Sequence, residues 1–205
     1  AALSALGEPQ ITPLVCDATD AKAVEACTGM LYIDILVNNA GILHSAPLVN
    51  IMNKDADRFA QAAADWRTVL EVNLSSAFFI TQCVADRMAR NRVKGVIINI
   101  SSISAGGTAG QSAYAASKAG LNALTQVWAR ELGALGIRAA SVAPGYIDTA
   151  STRKAMPENQ LEAIAARVPL KKLGDAQHIL QAVRYVIEND YVTATVLEVD
   201  GGLVV

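Results

Sequence analysis

Short runs of apolar, largely β-branched residues alternate along the chain with longer stretches of helical periodicity. Residues 11–16, 33–37, 96–100, 138–142 and 195–199 are too short for helices and nearly continuous in apolar side chains. That is the pattern of strands covered on both faces. Helical character falls on 65–90, 114–135, 157–166 and 175–188, while 23–32 reads as a short, poor helix. In the second of these, Leu121, Leu124, Trp128 and Leu132 share one helical face, and Gly133 and Gly136 act as stop signals. Strand and helix in this alternation predict an α/β fold with a doubly wound, Rossmann-type parallel sheet. No internal repeat, low-complexity tract or Pro/Gly-rich linker divides the chain, so residues 1–205 are expected to form one domain.

Composition narrows the function classes. With 52% apolar residues and a formal net charge of −2, the chain is not a disordered polymer. Its 17 basic side chains against 19 acidic ones do not supply the surplus that phosphate neutralisation needs, so no nucleic-acid partner is expected. No stretch approaches the roughly 18 to 20 uninterrupted apolar residues of a membrane span, and residues 1–10 lack the basic start and apolar centre of a secretory signal. Cys16, Cys27 and Cys83 are an odd count without CxxC spacing, which argues against a disulfide framework and a zinc site. Three reduced thiols in a cytoplasmic protein are expected. His44 and His178 stand alone, so no metal site is expected.

The chemistry gathers where predicted strands end. Tyr114 and Lys118 lie four residues apart at the start of a helix, on one face. A free phenol ionises at about pH 10, and a nearby ammonium favours its phenolate. Bringing that value to about 7 corresponds to about 4 kcal/mol, which requires a partly desolvated ammonium and other cations nearby. Chance alone supplies about 0.2 such Tyr/Lys pairs in a chain of this composition, so the neighbours must decide. Ser101 and Ser102 close the 96–100 strand, 13 and 12 residues before Tyr114. Ligands bind at the carboxyl ends of strands in such sheets, and a serine there can hydrogen-bond a carbonyl oxygen while the phenol donates a proton. Asn39, Ala40 and Gly41 follow the 33–37 strand, with small residues that admit a ligand. Asn73 is a polar group in an apolar helical run: it either bonds backbone or orders water near Lys118. After the 138–142 strand, Pro144 sets a turn, Gly145 permits close approach, and Thr149 offers a hydroxyl to an amide. The run Gly106–Gly110 follows a strand and precedes a helix, but its spacing is not GxGxxG. It reads as a flexible loop over a substrate site rather than a phosphate cradle.

In combination NNAG, a mid-helix Asn, a strand-end Ser, YxxxK and PG, in that order, resemble the short-chain dehydrogenase/reductase family. The resemblance runs from CDATD at 16–20 to VDGG at 199–202, and its look is that of the 3-oxoacyl-carrier-protein reductase type. It implies an NAD- or NADP-dependent oxidoreductase that interconverts a carbonyl and a secondary alcohol. Tyr114 would be the acid/base, Lys118 would depress its pKa and hold the nicotinamide ribose, and Ser102 would position the substrate. Ser101 stays open as the alternative. Asn73 would maintain a water relay to Lys118. Asp17 would face the adenine, Asn39, Ala40 and Gly41 the adenosine ribose, and Pro144, Gly145, Ile147 and Thr149 the nicotinamide end. A homo-oligomer, dimer or tetramer, is implied through the 65–90 and 114–135 helices and the tail at 203–205.

The family's glycine motif, TGxxxGxG, and its first two strands have no counterpart in this sequence. In the family's order they lie between the 11–16 and 33–37 strands, and their lack opens a gap about 10 Å beyond normal pairing. The sequence is therefore expected to be part of a longer chain. The residue that separates NAD from NADP goes with the second strand. The 44–65 stretch is longer than the family's, which alters the expected pocket rim, and Ala194 stands where the family commonly has Gly. That exchange costs little unless the backbone there needs a positive φ. A loop and helix over 150–167 are expected to close over the site. A second class weighed against the enzyme is a cofactor-free scaffold or regulatory protein of the same fold. A serine hydrolase is set aside because no GxSxG elbow is present.

Overall fold

The runs that read as doubly covered strands become the interior of a parallel sheet. The computed structural model describes residues 11–29, 31–50, 52 and 60–204. In chain order they form α1 (Ala21–Thr28), β1 (Ile35–Asn38), α2 (Ala63–Leu70), α3 (Ser76–Arg90), β2 (Val96–Ile100), α4 (Ser112–Leu132), β3 (Arg138–Pro144), α5 (Ala150–Ala155), α6 (Glu158–Arg167), α7 (Ala176–Glu188) and β4 (Thr195–Val199). The strands lie in the order β1-β2-β3-β4, and each neighbouring pair is parallel.

Alternate residues of β2 and β3 feed two cores, which is why those segments are continuously apolar. Ile97 and Ala139 pack with Val84, Met88, Trp128 and Ile137 beneath α3 and α4. Val96, Ile98, Ala140 and Val142 pack with Ala182 and Val186 of α7 on the other face. Fully burying an aliphatic side chain of this size stabilises the fold by about 1.5 to 3 kcal/mol. Sheet and helices thus make the single α/β arrangement that the alternation implied.

The segment 11–16 is a correction: it is extended but not a strand. Leu14 is 56% exposed and Val15 fully so. An apolar run becomes a strand only when its N–H and C=O groups find a ladder, and among the described residues none pairs with it. The four strands form one sheet with β1 at an edge; the expected gap lay between 11–16 and β1, and 11–16 is not part of this sheet. The expectations for residues 1–10 lie outside the described residues, as do 51 and 53–59 of the longer 44–65 stretch and 205 of the tail.

Helix boundaries follow the stop signals. α4 ends at Leu132, a single tighter turn covers Gly133–Leu135, and Gly136 takes the left-handed conformation at φ 78°. A Cβ there would also lie 2.9 Å from Cγ of Lys94, so only glycine fits. The predicted 65–90 helix starts earlier, at Ala63, and is interrupted by a wider π-helical turn at Glu71–Ser75. By length and composition Ala63–Arg90 is apolar enough to cross a membrane. Here it carries a fully buried Asn73 near its middle and packs against α1, β1 and α4. Ala194 has φ 52°, so the substitution of alanine for glycine is not free: its Cβ strains the left-handed backbone by about 1 to 2 kcal/mol.

Candidate active site

The parallel register brings four strand ends to one edge, and the first turns of α4 rise beside them. Below that edge runs a buried polar chain. Asn38 stands opposite Asn99, and Asn99 opposite Ser141. Nδ2 of Asn38 donates to Oδ1 of Asn99 (2.8 Å) and Oγ1 of Thr81 (2.9 Å), and Nδ2 of Asn99 donates to Oγ1 of Thr125 (2.8 Å). Thr125 and Ser141 hydroxyls meet at 2.7 Å. These bonds tie β1, β2 and β3 to α3 and α4 just beneath the site. Asn38 was named as the first residue of NNAG; sequence reasoning missed the other four, although Asn99 in VIINI carries the same signal that singled out Asn73: a polar residue in an apolar run.

Lys118 is 4% exposed, and its ammonium donates to the Ile100 carbonyl at 2.7 Å. Its Nζ stands 5.7 Å from the centre of the Tyr114 ring. Burial pulls the lysine down to about 8. Burial likewise pushes the Tyr114 phenol up, and the Ser102 hydroxyl beside it acts in the opposite sense. In the protein alone desolvation therefore outweighs the Ser102 bond, and Lys118 gives its hydrogen bond to a backbone carbonyl rather than to the phenol.

The two serines divide the work. Oγ of Ser101 is buried and donates to the Lys118 carbonyl (3.2 Å), anchoring α4 to the end of β2. Ser102 accepts a bond from Ser104 N–H (3.1 Å) and keeps its own proton free beside Tyr114. Asn73 is fully buried. Its Oδ1 accepts from Ile42 N–H (2.7 Å), while Nδ2 donates to the Ile42 carbonyl (2.9 Å) and to Oγ of Ser117 (3.2 Å). Ser117 in turn donates to the Tyr114 carbonyl (2.7 Å). Asn73 thus clamps the loop after β1 to the first turn of α4, and Oδ1 retains one free lone pair. A Cβ on Gly41 would lie 3.3 Å from that oxygen and 3.5 Å from Lys118 Nζ, so the missing side chain leaves a hollow between them.

The other proposed cofactor residues are not all in one place. Asn39, Ala40 and Gly41 are exposed at the end of β1. Pro144 ends β3, and Gly145 has no room for a side chain because its Cβ would meet Cα of Asp200 at 2.7 Å. Gly145 is therefore demanded by the end of β4, not only by ligand approach. Ile147 bridges to Gly174. Thr149 caps α5: its Oγ1 accepts from Thr152 N–H (3.1 Å) and lies 2.9 Å from the Thr152 hydroxyl. Because that hydroxyl donates to the Ile147 carbonyl, Thr149 must be the donor between them and keeps one acceptor lone pair. Asp17 is exposed and spends its carboxylate on Thr19, at 2.9 Å from the amide and 2.7 Å from the hydroxyl, which hold it below the usual carboxylate range. No described hydrogen bond joins it to the Tyr114 group.

Gly107 and Gly110 adopt φ 107° and 78°, so this run is glycine-rich for backbone reasons. Gly107, Thr108 and Ala109 border a cavity of about 260 Å³ together with Tyr146, Leu203 and Ile164 and Arg167 of α6. His44 contacts Asp65 at 3.3 Å near the surface, and His178 accepts from Asp175 N–H (3.0 Å) at the start of α7. No group of three metal-binding side chains occurs among the described residues.

A family model described as enoyl-(acyl carrier protein) reductase matches residues 1–204. The 3-oxoacyl-[acyl-carrier-protein] reductase FabG of Thermotoga maritima is 37% identical over 204 residues, 96% of this chain and 78% of that protein. Human (3R)-3-hydroxyacyl-CoA dehydrogenase is 41% identical over 172 residues, but the match spans only 62% of its length. A solved structure from Agrobacterium tumefaciens, named for 2-deoxy-d-gluconate 3-dehydrogenase and holding NADP, superposes with a TM-score of 0.80 at 33% identity. That likeness covers 92% of this chain and 74% of the other, and a further solved relative holds NADH.

Proposed function

The chain belongs to the short-chain dehydrogenase/reductase family of oxidoreductases, and from that premise we propose how it works. The protein interconverts a carbonyl and a secondary alcohol with NAD or NADP, with Tyr114 as proton donor and acceptor. The nicotinamide ring, when bound, supplies or takes the hydride.

This chain's residues suit the nicotinamide-ribose end of such a cofactor. Lys118 uses one of its three donors on Ile100 and keeps two. Gly41 leaves a hollow beside that amine, the turn at Asn39 and Ala40 is open, and Thr149 retains an acceptor for an amide N–H. Asp17 is the assigned adenine contact, with Pro144, Gly145 and Ile147 behind the ring.

Tyr114 keeps its proton at neutral pH because burial disfavours the phenolate. That suits it to donate to a carbonyl oxygen as the carbonyl carbon is reduced, with the Ser102 hydroxyl bonding the same oxygen. The phenolate left behind is stabilised by the Lys118 ammonium. Its Nζ stands 5.7 Å from the centre of the ring, a placement that favours the charged form of the phenol. Asn73 holds the loop after β1 against α4, and its spare lone pair serves a water next to Lys118. The single observation that carries this reading is the buried Lys118 ammonium beside a Tyr114 phenol that neighbours Ser102 at the carboxyl edge of the sheet.

One domain over 1–205, a cytoplasmic location and a homodimer or tetramer through α3 and α4 complete the reading. Phe78 and Val127, both more than 40% exposed on those helices, support the interface, which light scattering tests by mass. The mechanistic test is Tyr114→Phe, expected to lower turnover by about 10²- to 10⁴-fold with dinucleotide affinity retained. Lys118→Ala is expected to damage both. Full activity in Tyr114→Phe defeats the mechanism, and absence of dinucleotide binding by the wild-type protein favours a cofactor-free scaffold.

A further inference from the structure

A pair of thiols lies outside the machinery described above. The extended segment before Asp17 has no ladder, and the contact that holds it is a sulfur: Sγ of Cys27 donates to the Val15 carbonyl at 3.8 Å. That carbonyl is bonded to the Cys16 nitrogen, so the Cys27 sulfur sits against the Cys16 backbone. Cys16 is exposed and Cys27 is half-buried on the last turn of α1, so the Cys27 sulfur faces the backbone that bears the Cys16 thiol. Between them the chain turns through Asp17–Thr19, and Asp20 caps α1 by accepting from Lys22 N–H (2.8 Å) and Ala23 N–H (3.3 Å). A sulfur seated on the backbone of the other cysteine, across a short, capped loop, needs little rearrangement to meet its thiol.

We propose that Cys16 and Cys27 are an oxidant-responsive pair that closes to a disulfide and so locks the turn bearing Asp17. With hydrogen peroxide as oxidant, the O–O bond breaks and one S–S bond forms. The thiols lose two electrons and two protons, and the peroxide leaves as two waters. A reversible pair of this kind is the form disulfides take in reducing compartments. The Cys16 thiol is held above its usual range, first by its hydrogen bond to Cys27, then by desolvation and by the carboxylates of Asp17 and Asp20. A raised value lowers the thiolate fraction, so the exposed Cys16 thiol oxidises faster as pH rises. The third thiol, Cys83, sits half-buried on α3 and serves as the internal control. The consequence for function rests on Asp17 facing the adenine as proposed above: locking its turn changes nucleotide affinity.

The test separates the two claims. Reduced protein is treated with hydrogen peroxide and its intact mass is read without reductant. A loss of about 2 Da, the two hydrogens, is expected, reversed by dithiothreitol. Peptide mapping is expected to join Cys16 to Cys27, with the loss retained in Cys83→Ser and absent in Cys16→Ser and Cys27→Ser. No mass loss, or a bridge to Cys83, overturns the proposal, and neither readout depends on any activity. NADH titration of both redox forms follows by fluorescence, with at least about fivefold weaker affinity expected in the oxidised form. A disulfide with unchanged affinity upholds the pair and refutes the place of Asp17 at the adenine.

Discussion

Raising the pH from 7 to 10 should strengthen this fold, because Lys118 is buried with its charge. The folded state holds the lysine's proton only up to about 8, whereas the ordinary value of 10.5 applies once the chain unfolds. Between those values the unfolded state binds more protons, so stability rises with pH. The gain is complete above the unfolded value and is lost as pH falls through about 8. The gap corresponds to about 3 kcal/mol. Tyr114 works the other way, since burial raises an acid's pKa. Its effect begins only where the unfolded phenol ionises, at about pH 10, so it leaves the window nearly free. Lys118→Met isolates the lysine by keeping the apolar stem and deleting the amine. The substitution relieves the buried charge but orphans the Ile100 carbonyl, now bonded at 2.7 Å, which costs about 1 to 2 kcal/mol. Urea denaturation followed by circular dichroism should therefore find the variant about 1 to 2 kcal/mol more stable at pH 7. That advantage should shrink, then reverse, towards pH 10. Parallel stability curves for the two proteins across pH 7 to 10 would refute the claim that Lys118 is buried as a costly cation.

Two further outcomes follow from single side chains. Asn73→Ala leaves the Ile42 amide and carbonyl without this partner and takes one donor from the Ser117 hydroxyl, which keeps its bond to Tyr114, and should cost about 2 to 4 kcal/mol in the same assay. A loss below about 1 kcal/mol would mean that water replaces the clamp. Ala194→Gly relaxes a backbone at φ 52° and should stabilise by about 0.5 to 1 kcal/mol after glycine's greater freedom in the unfolded chain is subtracted. An unchanged or lower melting temperature in calorimetry would show that the Ala194 backbone is held without strain.

Much of the site was legible before any coordinates. The strands Val96–Ile100 and Thr195–Val199 are read to their final residues: double-sided burial makes VIINI apolar but for Asn99, while the half-buried TVLEV keeps only Glu198 exposed. β1 was displaced by a residue or two because its edge position lets Ile35 and Val37 stay about 40% exposed, and its last residue, Asn38, is polar. Tyr114 and Lys118 were recognisable as one face of a helix. The different settings of the two serines were not, because Ser101 bonds the Lys118 carbonyl of α4 while Ser102 lies beside the phenol. Residues 11–16 looked like a strand and are not one, since pairing is a property of two segments and the apolar run describes only one.

What the amino-acid order determined alone is local: which stretches are apolar with period 2 or 3.6, where glycine stops a helix, and which polar residues interrupt an apolar run. Those features depend on a residue and its near neighbours in the chain. Tertiary structure decided everything that needs a partner from afar. It turned Asn73 into a clamp within a π-helical turn, linked Asn38, Asn99 and Ser141 across three strands, and forced Ala194 left-handed. Hydrogen bonds and strain of this kind arise only once non-adjacent segments meet, and no periodicity along one segment encodes the geometry of the other.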